Sequence, residues 1–195
     1  AQVVRAVLST RIRSNMTKLN TLEPVTIDFF DTAPLRVQCV LEAKCTPEVL
    51  FETLRGDTVW TEWAGVIQNV NWTSPKPHAQ NSTRDVTITG NMLVRELFFH
   101  WEENERVAFY VTESTIPGLT SFAEDYVVER LGPNETRLTW TIAIENTGVM
   151  RYLNPLTKLI MKPIFDGWLR KYKRILEARA ASRVEPKVSE VATAP

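Results

Sequence analysis

Between residues 35 and 145, apolar and polar positions alternate with the period of two that sends successive side chains to opposite faces of a strand. From residue 150 onward the apolar positions recur every three or four residues, the period of a helix. The alternating part divides into strands over Leu35–Ala43, 66–73, 82–89, 92–102, 105–115, 120–130 and 136–145. Turn residues stand between the later ones: Gly90-Asn91, Glu103-Asn104, Pro117-Gly118 and Gly132-Pro133-Asn134. Consecutive strands with short turns predict an antiparallel meander.

After the first strand, Thr46 is placed to cap a helix, with Pro47 at its first position and Glu48 in its first turn. Val49, Leu50, Phe51 and Leu54 give that helix its apolar stripe. Gly56-Asp57 ends it, and a second short helix carries Trp60 and Trp63. A proline-rich loop over 74–78 leads into the meander. The helical part, 150–181, shows one long stripe from Tyr152 through Leu156, Leu159, Ile160, Ile164, Trp168 and Tyr172 to Leu176. Pro163 inside it predicts a kink or a break.

Residues 1–22 carry Arg5, Arg11, Arg13 and Lys18 and no acid, with Val4, Ile12, Met16 and Leu19 at helical spacing. This reads as a basic amphipathic helix, either packed on the domain or lying on a membrane surface or partner. The expected organisation is a helical extension over 1–31, one domain over 32–182, and a polar, disordered tail over 183–195.

The parity of the strands puts most of Val86, Phe98, Phe109, Val111, Tyr126, Val128, Leu138, Trp140 and Ile142 on one face. Arg84, Glu96 and Glu124 share that face. An inward apolar face that keeps a few charges reads as the wall of a ligand cavity. A guanidinium buried there needs a partner, and Glu124 is the candidate partner for Arg84. Glu96 and His100 are candidate proton carriers on the same parity, subject to the register of strand 92–102. Trp60 and Trp63 over the cavity, with Trp140 and Tyr126 on its wall, either pack the core or contact a ligand.

Composition narrows the classes of partner. The 195 residues balance 23 basic against 23 acidic side chains, which argues against a nucleic-acid binder working by bulk charge. Cys39 and Cys45 are six residues apart on one extended run, roughly 20 Å in reach, too far for a disulfide within it. They read as inert core thiols, which with the absence of a signal-like run predicts a cytoplasmic protein. His78 and His100 are too few to argue for a metal, and no glycine-rich phosphate loop or nucleophile triad stands out. No cofactor is expected.

The segments Thr46-Pro-Glu-Val-Leu-Phe51 with Trp60-Thr-Glu-Trp63, Asn81-Ser-Thr-Arg84, Arg95-Glu96 with Trp101-Glu102, Phe122-Ala-Glu-Asp-Tyr126 and Thr136-Arg-Leu-Thr-Trp140 occur in this order before the terminal helix. This set resembles the START-like (SRPBCC) superfamily, and within it the bacterial polyketide cyclase/dehydrase group, over about 33–180. The resemblance implies an α+β helix-grip fold: a curved seven-stranded antiparallel sheet wrapped around a long C-terminal helix, with two short helices closing a hydrophobic cavity. It implies binding of a hydrophobic small molecule such as a lipid, isoprenoid or polyketide; the strand parity and the tryptophan helix make Trp60, Trp63, Arg84, Glu96, Phe98, Glu124, Tyr126 and Trp140 the candidate ligand-binding residues. An enzymatic alternative is a cofactor-free cyclase or dehydratase, with Arg84 polarising a carbonyl and Glu96, Glu124 or Tyr126 moving protons. A third is an adaptor that docks on a membrane or partner through residues 1–22. The chain departs from the group in its N-terminal extension and at Ala79-Gln80-Asn81, where relatives often have glycine.

Overall fold

The computed structural model describes residues 18–148, Tyr152 and residues 154–184. Its elements are β1 (Asn20–Thr21), α1 (Phe29–Thr32), β2 (Leu35–Ala43), α2 (Pro47–Leu54), α3 (Val59–Trp63), β3 (Ile67–Trp72), β4 (Thr83–Ile88), β5 (Met92–Glu102), β6 (Arg106–Ser114), β7 (Leu119–Gly132), β8 (Glu135–Asn146) and α4 (Asn154–Val184). The strands form one antiparallel sheet in the order β2-β8-β7-β6-β5-β4-β3, with β1 paired to β6. The α+β helix-grip fold expected from the sequence is the one found.

The predicted turns hold for a physical reason. Gly90 and Asn91, Asn104 and Gly118 all sit at positive φ, which glycine and asparagine tolerate best. Thr46 Oγ1 accepts a hydrogen bond from the Val49 N–H (3.5 Å) and starts α2 as a cap. Along β2 the side chains alternate strictly between buried and open, from Leu35 to Ala43. The buried ones, with Leu138, Trp140 and Ile142 of β8, meet Phe165, Leu169, Tyr172 and Leu176 of α4 to make the main core. α2 and α3 carry the chain from β2, at one edge of the sheet, to β3 at the other. Cys39 and Cys45 are buried free thiols, and burial pushes them up to about 12 and about 11.

Three expectations are corrected. First, the amphipathic helix predicted over 1–22 lies mostly outside the described residues, and residues 18–22 are not helical. Here β6 and β7 part, and the chain fills the gap: Leu22 N–H donates to Thr112 O (2.9 Å) and Glu23 N–H to Thr120 O (2.8 Å). Leu22 is buried against Val86, Val94 and Val111. Phe30 then seats on the opposite face of the sheet, over Ala108, Ala123 and Ala143 on three neighbouring strands. Residues 20–33 are therefore packed against the sheet.

Second, α4 runs unbroken through Pro163 to Val184. The proline removes a bond to the carbonyl of Leu159, and that residue is 73% exposed, so water can replace the missing donor. The predicted tail thus contributes its first two residues to the helix; the rest lies outside the described residues. Third, the stripe on α4 is packed only along its later part. Leu156, Leu159, Ile160 and Ile164 are 46–73% exposed, and Tyr152 before them is 69% exposed. No described helix is long and apolar enough to cross a membrane.

Candidate functional site

A cavity of about 330 Å³ lies between the concave face of the sheet and α4. That is the lower end of the roughly 300–1,000 Å³ typical of small-molecule sites. Its walls are built by periodicity. β4, β5 and β6 supply Val86, Val94 and Val111; β7 supplies Phe122, Glu124 and Tyr126; α3 supplies Trp60 and Trp63. α4 closes it with Met161, Ile164, Phe165 and Trp168, whose i, i+3, i+4, i+7 spacing puts them on one helical face. Gly65 lets the last of these approach: a Cβ there would meet Trp168 Nε1 at 3.0 Å. A larger groove of about 540 Å³ lies outside, between the start of α2 and the β5–β6 turn. Its open walls carry Glu48, Glu102, Glu103, Arg106 and Arg130, and give an apolar ligand little to bind, so the buried cavity is the candidate site.

Arg84 is 1% exposed and lies directly across the strand ladder from Glu96. Its Nε donates to Glu96 Oε2 at 2.5 Å. The partner is thus Glu96, where the sequence offered Glu124; cross-strand register, not shared face, decides it. Aromatic rings surround the guanidinium, with Trp60 at 4.2 Å, Phe98 and Phe109 at 5.0 Å and Trp72 at 5.3 Å. Such cation–π contacts are worth up to about 2 kcal/mol when desolvated. Arg84 Nη1 is buried without a partner, as is Trp63 Nε1. Burial pushes the Glu96 carboxyl up, and the guanidinium beside it opposes that shift.

Glu124 forms the second polar cluster. The Tyr126 hydroxyl, two residues along the same face, and Trp140 Nε1 (3.0 Å) both donate to its Oε2. Burial pushes the Glu124 carboxyl up to about 7, and the negative Glu96 adds to the rise. The donors from Tyr126 and Trp140, and Arg84, act against it. Burial and then Glu124 itself hold the Tyr126 phenol well above its usual range, so it stays protonated. The cavity therefore contains a charged guanidinium with unused donors, and a carboxyl that exchanges its proton near neutrality.

Seven of the eight residues expected to bind ligand line this cavity: Trp60, Trp63, Arg84, Glu96, Glu124, Tyr126 and Trp140. The eighth, Phe98, faces inward but stacks on Trp72 (5.0 Å) behind Arg84, so it supports the guanidinium instead of lining the space. His100 is turned away from the cavity. A bulge between Phe98 and His100 breaks the alternation and brings Trp101 to the inner side, against Phe51 and Phe98. The reading missed Trp72, whose place opposite Arg84 depends on a bulge between Ile67 and Asn69 that no residue type announces. It also missed Met161 and Phe165, although their helical spacing with Ile164 and Trp168 was there to be read.

The family described as polyketide cyclase/dehydrase and lipid transport matches residues 35–185. The chain belongs to that family. An uncharacterized protein of Mycobacterium tuberculosis is 37% identical over 164 residues, which is 82% of this chain and 95% of the relative. An uncharacterized protein of Mycobacterium bovis matches to the same extent. Among solved structures, a START superfamily protein from Mycobacterium smegmatis aligns with a TM-score of 0.61 at 14% identity, covering 74% of this chain and 98% of that one. An aromatase/cyclase from a Streptomyces species aligns at 0.55 with 11% identity, covering 77% and 95%. At such identities these likenesses speak for the shared helix-grip fold alone.

Proposed function

We propose that this family member binds a hydrophobic small molecule, of lipid, isoprenoid or polyketide type, in the cavity between sheet and α4, as a carrier or sensor. One observation carries the reading: a partly open, mostly apolar cavity walled by Trp60, Trp63, Phe122, Trp140, Phe165 and Trp168, with its few polar groups gathered at Arg84 and Glu124. A site built this way gains affinity from its apolar wall and orientation from a few polar groups. Native mass spectrometry of the recombinant protein tests it, since an apolar occupant is expected to travel with the folded chain.

A second reading, a cofactor-free cyclase or dehydratase, draws support from Glu124, whose proton is exchangeable near neutrality inside the cavity. Glu124→Gln separates the two. On the enzyme reading, turnover of a poly-β-ketone substrate falls by roughly a hundredfold or more while binding holds. On the carrier reading the wild type turns nothing over.

The exposed apolar side of α4 supports contact with a membrane surface. Ile164 is shared between that side and the cavity lining, so a ligand has an apolar path from a bilayer into the cavity. Lys158 lies on the same turns, and the basic residues of the first 17 positions lead into Lys18 beside the β6–β7 turn, whose Ile116 and Leu119 also line the cavity.

A further inference from the structure

Among the described residues, the side chains lining the cavity include one cation, Arg84, and two carboxyl groups, Glu96 and Glu124. The single positive charge is already matched by Glu96. Its donors are not exhausted. A guanidinium carries five N–H groups, and here only Nε is engaged by the carboxylate while Nη1 is buried with no partner. Trp63 in the same lining holds a second buried N–H without an acceptor. The site is thus short of oxygen acceptors but not of negative charge.

We propose that the cavity takes a ligand with an apolar body and a neutral oxygen acceptor, a ketone or ester carbonyl or a hydroxyl, seated on the free donors of Arg84, and that it discriminates against the corresponding carboxylate. The inference rests on the cavity-binding reading and gives it a ligand class. A neutral carbonyl satisfies a buried donor and adds no charge. A carboxylate must shed its water to enter, finds Arg84 already neutralised, and stands near Glu96 and Glu124. Its desolvation goes uncompensated. The aromatic rings around Arg84 add to the effect, because they pack against the guanidinium while its Nε serves Glu96 and leave little room for it to turn toward a second anion.

Calorimetric titration of the full chain with decanoic acid and with methyl octyl ketone, equal in carbon number, tests this at about pH 8, where the free acid is ionised. The ketone is expected to bind tighter by about tenfold or more. Equal binding, or tighter binding of the acid, overturns the inference and leaves cavity binding standing. If neither binds at any accessible concentration, the cavity reading itself fails and the ligand class fails with it. Glu96→Gln provides the converse: freed of its counter-ion, Arg84 is expected to prefer the acid, by about tenfold. A folded Glu96→Gln protein, verified by circular dichroism, that still prefers the ketone contradicts the role given to the pair. If that variant does not fold, the wild-type comparison decides alone.

Discussion

A carboxyl that holds its proton up to about pH 7 in the fold, against 4.5 as its ordinary value, makes stability fall as pH rises. That is the position of Glu124. Below its unfolded value the group is protonated in both states and the fold bears no cost. As pH rises toward the folded value, the unfolded chain gains by ionising while the folded one cannot, and above about 7 the loss is complete. The shift from 4.5 to about 7 corresponds to roughly 3 kcal/mol. Urea unfolding of the wild type and of Glu124→Gln across this range is expected to diverge, with the variant gaining relative stability as pH rises and levelling off above neutrality. A constant difference between the two would contradict the buried placement of Glu124. At this scale the sequence was informative about faces but not about pairs. Alternation alone put Arg84, Glu96, Glu124 and Tyr126 on the inner side, because the side-chain period of a strand is fixed. That Arg84 meets Glu96 is a matter of register between β4 and β5, and two bulges in the β5–β6 ladder show how locally register is set.

Among the elements, strands and short helices were legible because turn residues and capping residues mark their ends. The strap over 20–33 was not legible, since its partners are distant in sequence. Its anchor is Phe30, 4% exposed on a seat of three alanines. Small residues at Ala108, Ala123 and Ala143 leave the depth that a phenyl ring fills, and Phe99 stacks beside it at 6.3 Å. Phe30→Ala is expected to cost about 3 kcal/mol in chemical unfolding, the usual loss for a buried phenylalanine. A loss under about 1 kcal/mol would mean that the strap adds little to the sheet. α4 failed the sequence reading in a different way. Its stripe was read as one continuous packing surface, yet before Phe165 only Met161 packs inward while Leu156, Leu159, Ile160 and Ile164 stay largely open. Periodicity reports that a helix has an apolar face and is silent on what covers that face.

On the scale of the whole molecule, the apolar cavity and the uncovered apolar face of α4 share one rim at Ile164. Sedimentation with anionic vesicles checks whether the two work together. Leu159→Ser combined with Ile160→Ser is expected to reduce the bound fraction severalfold, since each removes most of a leucine-sized contribution of about 1.5–3 kcal/mol where the side chain inserts fully. Unchanged partitioning would count against membrane contact through α4, and cavity binding would be unaffected. The claim on which the rest depends is that the cavity is a binding site and not merely a packing defect. Native mass spectrometry of the full chain, with and without Val94→Phe, addresses it most directly, because Val94 lines the cavity and a phenyl ring there fills part of it. The expected result is a small apolar adduct above the 22.3 kDa chain, either co-purified or taken up from added methyl octyl ketone, and lost in Val94→Phe. A wild-type chain that stays bare with every apolar compound offered, or an adduct that persists in a folded Val94→Phe, would contradict it.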